Sequence, residues 1–365
     1  MRYSRLTLGE LVTIKYGKNQ KRVQSAGGTI PIYGTGGLMG YATEALYEKP
    51  SVLIGRKGTI NKVRYVDHPF WTVDTLFYTE VNEAFVRPKY LYYLMSLLNL
   101  DSYNEGTTIP SLRTETLNRL EFDIPDLDYQ EKVLSMIEPI DRRIKLNEKV
   151  NENLQAQAFT VFDRLISSSR GELVPLNTIA ELNPKRQIAK GVSARYIDMS
   201  QLSTSGAFPS GWEMKPYNGG MRFSNGDTIM ARITPCLENG KTAFIDFLDS
   251  SEVAFGSTEY IVLSSRGVYP SEFFYCLARY PSFVDYAVAN MNGSSGRQRV
   301  SAETLSNYYV PLLNKDDLAL FAETVPPLFS CMRNNSLENM RLASLRDILL
   351  PRLMSGELDV SSIEL

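Results

Sequence analysis

Apolar positions recur with a fixed rhythm in two segments of the chain. From Val133 to Leu165 they advance by four and three residues in turn, and the series returns 188 positions later, from Phe321 to Leu353. This 4-3 spacing is typical of a coiled-coil seam, because about 3.5 residues per turn keep one stripe of side chains facing a partner helix. The pattern predicts two long helices that pack against each other.

The two series also match in their polar members. Asn147 and Asn151 of the first series correspond to Asn335 and Asn339 of the second. An Asn buried in such a seam costs stability but fixes the register and the choice of partner. We therefore predict that these four residues set the register of the helix pair.

The repeat extends beyond the helices. Both halves contain a basic loop, a strand ending at Arg56 or Arg232, a further strand, an amphipathic helix that begins near a proline, and a polar loop. Each half is typical of a mixed α+β globule. We predict an α+β fold in which two mixed domains are separated by two long antiparallel coiled-coil helices, with a pseudo-twofold internal repeat. The predicted segments are a first domain (1–130), a first spacer helix (131–169), a second domain (170–315), a second spacer helix (316–358) and a tail (359–365).

Composition places the chain among soluble globular proteins, with 43% hydrophobic and 22% charged residues. No apolar run reaches the length of a membrane span, and the first residues lack the apolar core of a secretion signal. The three cysteines show no C-x-x-C spacing, and we interpret them as buried thiols of a reducing compartment. These features predict a cytoplasmic protein without membrane contact.

Several kinds of active site have no counterpart in the sequence. His68 is the only histidine, which excludes a multi-histidine metal site and weakens any catalytic triad. No N-P-P-Y or D-P-P-Y tetrapeptide is present for amino-methyl transfer. We expect a binding protein with neither metal nor cofactor of its own.

Charge is distributed unevenly within the first domain. Residues 1–64 hold eleven Lys or Arg against three acidic residues, whereas residues 65–130 hold four against eleven. A balance of +8 beside one of -7 is compatible with a basic face for nucleic acid. On charge alone, ordinary surface variation is an equally good explanation.

The helices would also carry geometric information. The seam from Val133 to Leu165 covers 32 steps, or about 48 Å at 1.5 Å per residue, which corresponds to roughly 14 base pairs of duplex. Two readers held apart in this way would recognise two half-sites with an unread gap. Insertions or deletions between Asn151 and Leu165 should then change the gap and leave the half-sites unchanged.

Longer motifs resemble a known family over essentially the whole chain. LIGRKGTINKVRYVDHPFWTVDTLFYT in the first half, and FSNGDTIMARITPCLENGKTAFID, FGSTEYIVL and NGSSGRQRV in the second, look like target-recognition domains. The segments at 125–132 and 350–358 resemble conserved spacer regions. The chain thus resembles the specificity subunit of type I restriction-modification systems.

This resemblance implies a subunit without catalysis that recognises double-stranded DNA. Two modification subunits, which carry S-adenosylmethionine and methylate adenine, would bind along the helices. Restriction subunits, with ATP and Mg, would translocate and cleave DNA. The target would be bipartite, and because the two domains differ in sequence its half-sites should differ.

The predicted DNA-contacting residues belong to polar and basic loops between strands. They are, in the first domain, Lys18, Lys21, Arg22, Arg56, Lys57, Thr59, Asn61, Lys62, Thr107 and Thr108, and, in the second, Lys185, Arg186, Arg232, Thr234, Asn239, Lys241, Ser294, Ser295, Arg297, Gln298 and Arg299. Lys18, Lys21 and Arg22 would contact phosphates, whereas Gln298 and the arginines would read base edges. For each residue the alternative is a solvated loop or a cap.

Three other interpretations remain open from the sequence. A coiled-coil scaffold that binds proteins would explain the helices but not the basic Arg loops of both halves. A restriction enzyme fused to its specificity domain would need the missing catalytic motifs. A subunit of a methylation-only system would have the same sequence features, because the difference lies in the partner subunits.

Overall fold

The computed structural model describes residues 3–294 and 296–362. Its contacts divide the chain into two compact units, one formed by Met1–Asp141 with Ser344–Leu365 and the other by Arg142–Ala343. Each unit therefore contains one globule and a part of both long helices.

The first unit contains nine strands, three short α-helices and parts of both long helices among its described residues. The strands are β1 (Tyr3–Thr7), β2 (Val12–Tyr16), β3 (Ile30–Gly34), β4 (Gly37–Ala42), β5 (Ser51–Gly55), β6 (Val63–Val66), β7 (Trp71–Thr72), β8 (Leu76–Val81) and β9 (Glu121–Pro125). The helices are α1 (Leu8–Leu11), α2 (Pro88–Ser96), α3 (Thr114–Asn118) and the start of α4 (Leu127–Ser168).

A four-stranded antiparallel sheet forms the centre of the first unit, in the order β2-β8-β5-β6. All five residues of β5 are buried, because α2 packs on one face of the sheet, and Phe70 and Tyr78 cover Leu53 on the other. Pro88 suits the first turn of α2, since proline lacks the backbone donor that would be unpaired there. A smaller sheet, β4-β3-β7, and the pair β1-β9 complete the unit.

The second unit contains the remaining elements. Its strands are β10 (Leu173–Pro175), β11 (Ala180–Leu182), β12 (Ser193–Ile197), β13 (Glu213–Pro216), β14 (Met221–Phe223), β15 (Thr228–Ala231), β16 (Thr242–Phe244), β17 (Ala254–Gly256), β18 (Tyr260–Ser265) and β19 (Tyr309–Pro311). Its helices are α5 (Ser271–Ala278), α6 (Pro281–Ala289), α7 (Ala302–Ser306), the remainder of α4 and most of α8 (Lys315–Met354).

The topology of the second unit repeats that of the first. Its antiparallel sheet has the order β11-β18-β15-β16, which matches β2-β8-β5-β6 in the first unit. In both sheets the strand that comes last along the chain lies between the strands that come first and second. The second sheet, β13-β12-β17-β14, contains a parallel pair, β12 with β17, that corresponds to β3 with β7. The internal repeat seen in the sequence is therefore a repeat of topology.

The long helices run antiparallel within each unit. In the second unit, Arg143 bonds to Glu338 and Asn151 to Asn335, so the partner number falls as the number along α4 rises. In the first unit, Asp141 pairs with Arg346, and the Tyr129 hydroxyl reaches the Leu353 carbonyl. Every predicted seam position is buried or half-buried. The predicted α+β fold with two antiparallel coiled-coil helices is confirmed.

The structure also tests the predictions about the cysteines and about membrane-spanning helices. Cys276 is buried, but Cys236 is half-buried and Cys331 is exposed, so the prediction of three buried thiols was wrong for two of them. Among the residues described, none of the helices has the length and apolar character that crossing a membrane requires.

Candidate nucleic-acid interface

In the first unit, one edge of the central sheet carries most of the predicted residues. Tyr16, at the end of β2, and Gly55, at the end of β5, both lie beside the start of β8. The chain continues from these two strand ends into the loops that carry Lys18 and Arg56. We call this the first edge.

Arg56 is fixed at the first edge through its backbone. Its N–H donates to the Thr75 carbonyl at 2.8 Å, and its own carbonyl accepts from the Leu112 N–H at 3.0 Å. The guanidinium donates to the Asp74 carbonyl at 2.8 Å and lies over the ring of Tyr16, 5.2 Å from its centre. The backbone and the guanidinium of this half-buried arginine are therefore held in place, and a fixed side chain favours precise recognition of a ligand.

The neighbouring loops converge on Arg56. Lys57 forms a bridge with Ser111, and the Gly58 N–H donates to the Pro110 carbonyl, which brings the loop with Thr107 and Thr108 against the loop from Arg56 to Lys62. Gly55 permits the tight turn, because a Cβ there would lie 2.2 Å from the Thr59 carbonyl oxygen.

Exposed cations surround this cluster. Five of them make no side-chain hydrogen bond or ion pair with any residue that the structure describes: Lys18, Lys21, Arg22, Lys57 and Lys62. Thr59 is also exposed, whereas Asn61 donates its amide to Asp101 at 2.9 Å. Unpaired lysines and arginines at the surface are the groups that bind phosphates by displacing counterions.

In the second unit, Arg232 occupies the position equivalent to Arg56. It follows β15, its N–H donates to the Glu259 carbonyl at 3.0 Å, and its carbonyl accepts from the Val300 N–H at 3.0 Å. Val300 lies 188 residues after Leu112, so the repeat reproduces this anchoring hydrogen bond. We call this the second edge.

The second edge gathers the remaining polar loops. The Thr234 N–H donates to the Gln298 carbonyl, and the Asn239 N–H donates to the Pro235 carbonyl. Lys241 reaches the Met199 carbonyl with its ammonium group at 2.8 Å. Ser294 and Arg297 are exposed in the adjoining turn, while Ser295 lies outside the described residues.

An ion pair constrains the second edge. Arg299 donates to both carboxylate oxygens of Glu259 at 2.7–3.0 Å. These hydrogen bonds lower the pKa of Glu259 against the opposing effect of burial, and Arg232 adds to the lowering through its charge. The buried Nε of Arg232 has no hydrogen-bond partner among the residues that the structure describes. A charged group in this condition is costly unless a ligand or water completes its hydrogen bonds.

Two predicted residues of the second unit lie away from this edge. Arg186 pairs with the fully buried carboxylate of Asp227, which precedes β15 and so lies at the opposite end of that strand from Arg232. Lys185 is exposed beside it. The structure therefore does not bring Lys185 and Arg186 together with Arg232.

The four seam asparagines do meet. Asn147 donates its amide to Asn339 at 2.9 Å, and Asn335 donates to Asn151 at 2.8 Å. Asn147 also donates to Glu338, whose pKa is lowered first by the hydrogen bonds of Arg143 and then by that of Asn147. Their role in setting the register stays a prediction.

The residues predicted to contact DNA do not include the hairpin of β3 and β4. Its tip nevertheless lies at the first edge, because Thr35 is 3.8 Å from the point that a Cβ on Gly58 would occupy. Leu38, Met39 and Tyr41 are exposed there. The adjacent apolar pair Leu38-Met39 between glycines was the only available signal.

Comparison with known proteins shows which family the chain resembles. Residues 3–156 match the family model described as the type I restriction modification DNA specificity domain. This part of the chain is similar to a type I specificity domain. It is also 24% identical to the type I restriction enzyme HindI specificity subunit of Haemophilus influenzae, over 76% of this chain and 79% of that protein. To the MjaIX specificity subunit of Methanocaldococcus jannaschii it is 22% identical, over 87% and 80% respectively. The resemblance recognised in the sequence is confirmed.

A solved structure shares the fold. The crystal structure of a type-I restriction-modification system S subunit from M. genitalium matches with a TM-score of 0.63 at 16% identity, covering 97% of this chain and 96% of that chain. At this identity the match supports the fold alone.

The segment that matches the family model contains the whole first edge, since Lys18 to Thr108 fall within residues 3–156. The second edge lies outside the family match. Its assignment rests on the repeated anchoring of Arg56 and Arg232.

Proposed function

We propose that this chain is the DNA-recognising subunit of a type I restriction-modification complex, with no catalysis of its own. The observation that carries the proposal is the equivalence of Arg56 and Arg232. Both arginines follow the second strand of a repeated sheet and are held on both sides by backbone hydrogen bonds. Arginine in such a position suits bidentate contact with guanine in the major groove.

Each edge would read one half of a bipartite, asymmetric target. The two domains differ in sequence, so the half-sites would differ and the target would not be palindromic. The long helices would set the gap between the half-sites. Two modification subunits would bind along the helices and methylate adenine, and restriction subunits would cleave DNA. S-adenosylmethionine, ATP and Mg would belong to these partners.

Methylation mapping tests the proposal. The full chain is co-expressed with its modification subunit in a host that lacks DNA methylation, and modified bases are read by single-molecule sequencing. We expect methyladenine at a split, asymmetric motif with a fixed gap. A soluble complex of the two subunits that leaves the host DNA unmodified would contradict the proposal and favour a protein-binding scaffold.

A further inference from the structure

The hairpin of β3 and β4 presents an apolar surface at the first edge. Its strands pair from Ile30 with Ala42 to Gly34 with Gly37, and the turn consists of Thr35 and Gly36. Leu38 and Met39 are adjacent and 55% and 53% exposed. We call residues 34–39 the hairpin tip.

The fold does not need the side chain of Leu38 to be apolar. The hairpin is held by Ile32 and Ala42, which are fully buried against Trp71 and Val73, and the sulfur of Met39 lies close to Gly34 on the side of Val73. A polar residue at position 38 would leave this small core intact. Two neighbouring exposed apolar side chains therefore point to a partner that covers them.

The charges around the tip indicate which partner. Lys21 and Arg22 are exposed in the loop before β3, and the Ser25 N–H from the same loop donates to the Tyr41 carbonyl. On the other side, Gly58 and its exposed neighbour Lys57 lie beside Thr35. A small apolar surface between cations complements the DNA major groove, where thymine methyl groups lie between rows of phosphates.

We propose that the hairpin tip enters the major groove and that Leu38 and Met39 read thymine by packing against its 5-methyl group. A two-stranded ribbon fits the width of this groove, and apolar contact with the methyl group distinguishes thymine from the other bases. The proposal rests on the proposed function, and it adds an apolar specificity element to the first edge that charge and hydrogen-bonding residues do not supply.

The test removes the methyl group from the DNA. Duplexes carrying the methylated target are made with each thymine in turn replaced by deoxyuridine, and binding of the full chain with its modification subunit is measured. For wild type, one or two replacements should weaken binding about fourfold, which is the expected loss for one buried methyl group. For the variant L38A/M39A, the same replacements should have no effect.

Matched variants distinguish this reading from its competitors. L38M keeps the apolar contact and should retain the deoxyuridine effect. Leu97 is another exposed leucine of the first unit, at the end of α2, and L97A should behave as wild type. Thermal melting checks that each variant is folded.

The outcomes separate the two proposals. Absence of any methylated motif with wild type would count against the proposed function itself. A motif at which deoxyuridine weakens L38A/M39A as much as wild type, or weakens neither, would overturn thymine reading. Fluorescence of 2-aminopurine that rises on binding only when Leu38 and Met39 are present would also overturn it, because it would show a wedge between bases.

Discussion

Asn147 and Asn339 bond to each other across the helix pair, with 2.9 Å between Nδ2 of Asn147 and Oδ1 of Asn339. Asn147 is only 3% exposed, and it also donates to Glu338. A polar residue in so dry a position is maintained only by these partners, because an unpaired buried amide is costly.

Replacing one member of this pair should therefore cost more than replacing both. We expect N147L to destabilise the protein by about 1–2 kcal/mol, because Asn339 loses its donor, and N147L/N339L to recover most of that loss, at the expense of a unique register. Urea unfolding of the single and double variants measures the coupling. Asn153 is exposed on the same helix, and N153L serves as the control. Equal stability of the single and double variants would contradict the prediction.

Lengthening both helices should lengthen the gap in the DNA target. The stretch from Asn151 to Leu165 is unsuitable for this, because Ala158, Phe162 and Leu165 belong to the core of the second unit. A seven-residue insertion after Arg142, matched by one before Ala343, would preserve the seam and add about 10 Å. We expect a gap longer by about three base pairs and unchanged half-sites in methylation mapping.

An insertion of the same length outside the helices is the control for the prediction that helix length sets the gap. Gly267 lies in an exposed turn with open space around it, so seven residues added there should leave the gap unchanged. If the variant with insertions in both long helices is active and keeps the original gap, helix length does not set the gap.

The salt dependence of DNA binding should come mainly from the first edge. Lys57 and Lys62 are exposed there without ion-pair partners among the described residues, whereas Arg299 is already paired with Glu259. K57Q/K62Q should reduce the slope of log affinity against log salt by about two, since each phosphate contact contributes about 0.9. Lys49 is exposed at the opposite end of β5, and K49Q should leave the slope unchanged. An unchanged slope for the double variant would exclude phosphate contacts by these lysines.

Each anchored arginine should govern one half-site. R56K should relax base preference in one half of the methylated motif and R232K in the other, because lysine cannot form the bidentate contact with guanine. The loss of discrimination should be about fivefold or more at one position, as expected for about 1–3 kcal/mol per bidentate contact. Arg266 is exposed beyond the opposite end of β18, and R266K should leave the motif unchanged. Relaxation of both halves by a single variant would contradict the assignment.

The Glu259–Arg299 pair should make the second unit sensitive to acid. The folded-state pKa of Glu259 lies below its ordinary value of 4.5. The stabilisation is therefore present above pH 4.5 and is lost as the pH falls through the lower, folded-state pKa. We expect the difference in melting temperature between wild type and E259Q to shrink as the pH is lowered from 5 to 3. For E323Q, at an exposed position of α8, the difference in melting temperature from wild type should not shrink in this way as the pH is lowered.

The helices and the repeat could be predicted from the sequence because both depend on local patterns. The 4-3 spacing fixes which face of each helix is apolar, so it also fixed that Asn147 would lie at the seam and could meet Asn339. Arg56 and Arg232 could be paired because each ends a strand in the same order of landmarks. These are properties of neighbouring residues, and they do not depend on how distant segments pack.

Only the tertiary structure decided which polar side chains form ion pairs or hydrogen bonds within the protein. Arg186 and Arg232 look alike in the sequence, yet Arg186 is held by the buried carboxylate of Asp227, while the Nε of Arg232 lacks a hydrogen-bond partner in the described part of the chain. The position of the hairpin tip at the first edge likewise depends on the pairing of β3 with β4 and on the contact between Thr35 and Gly58. Ion pairing and exposure depend on contacts between residues far apart in the chain, and no periodicity along the sequence records them.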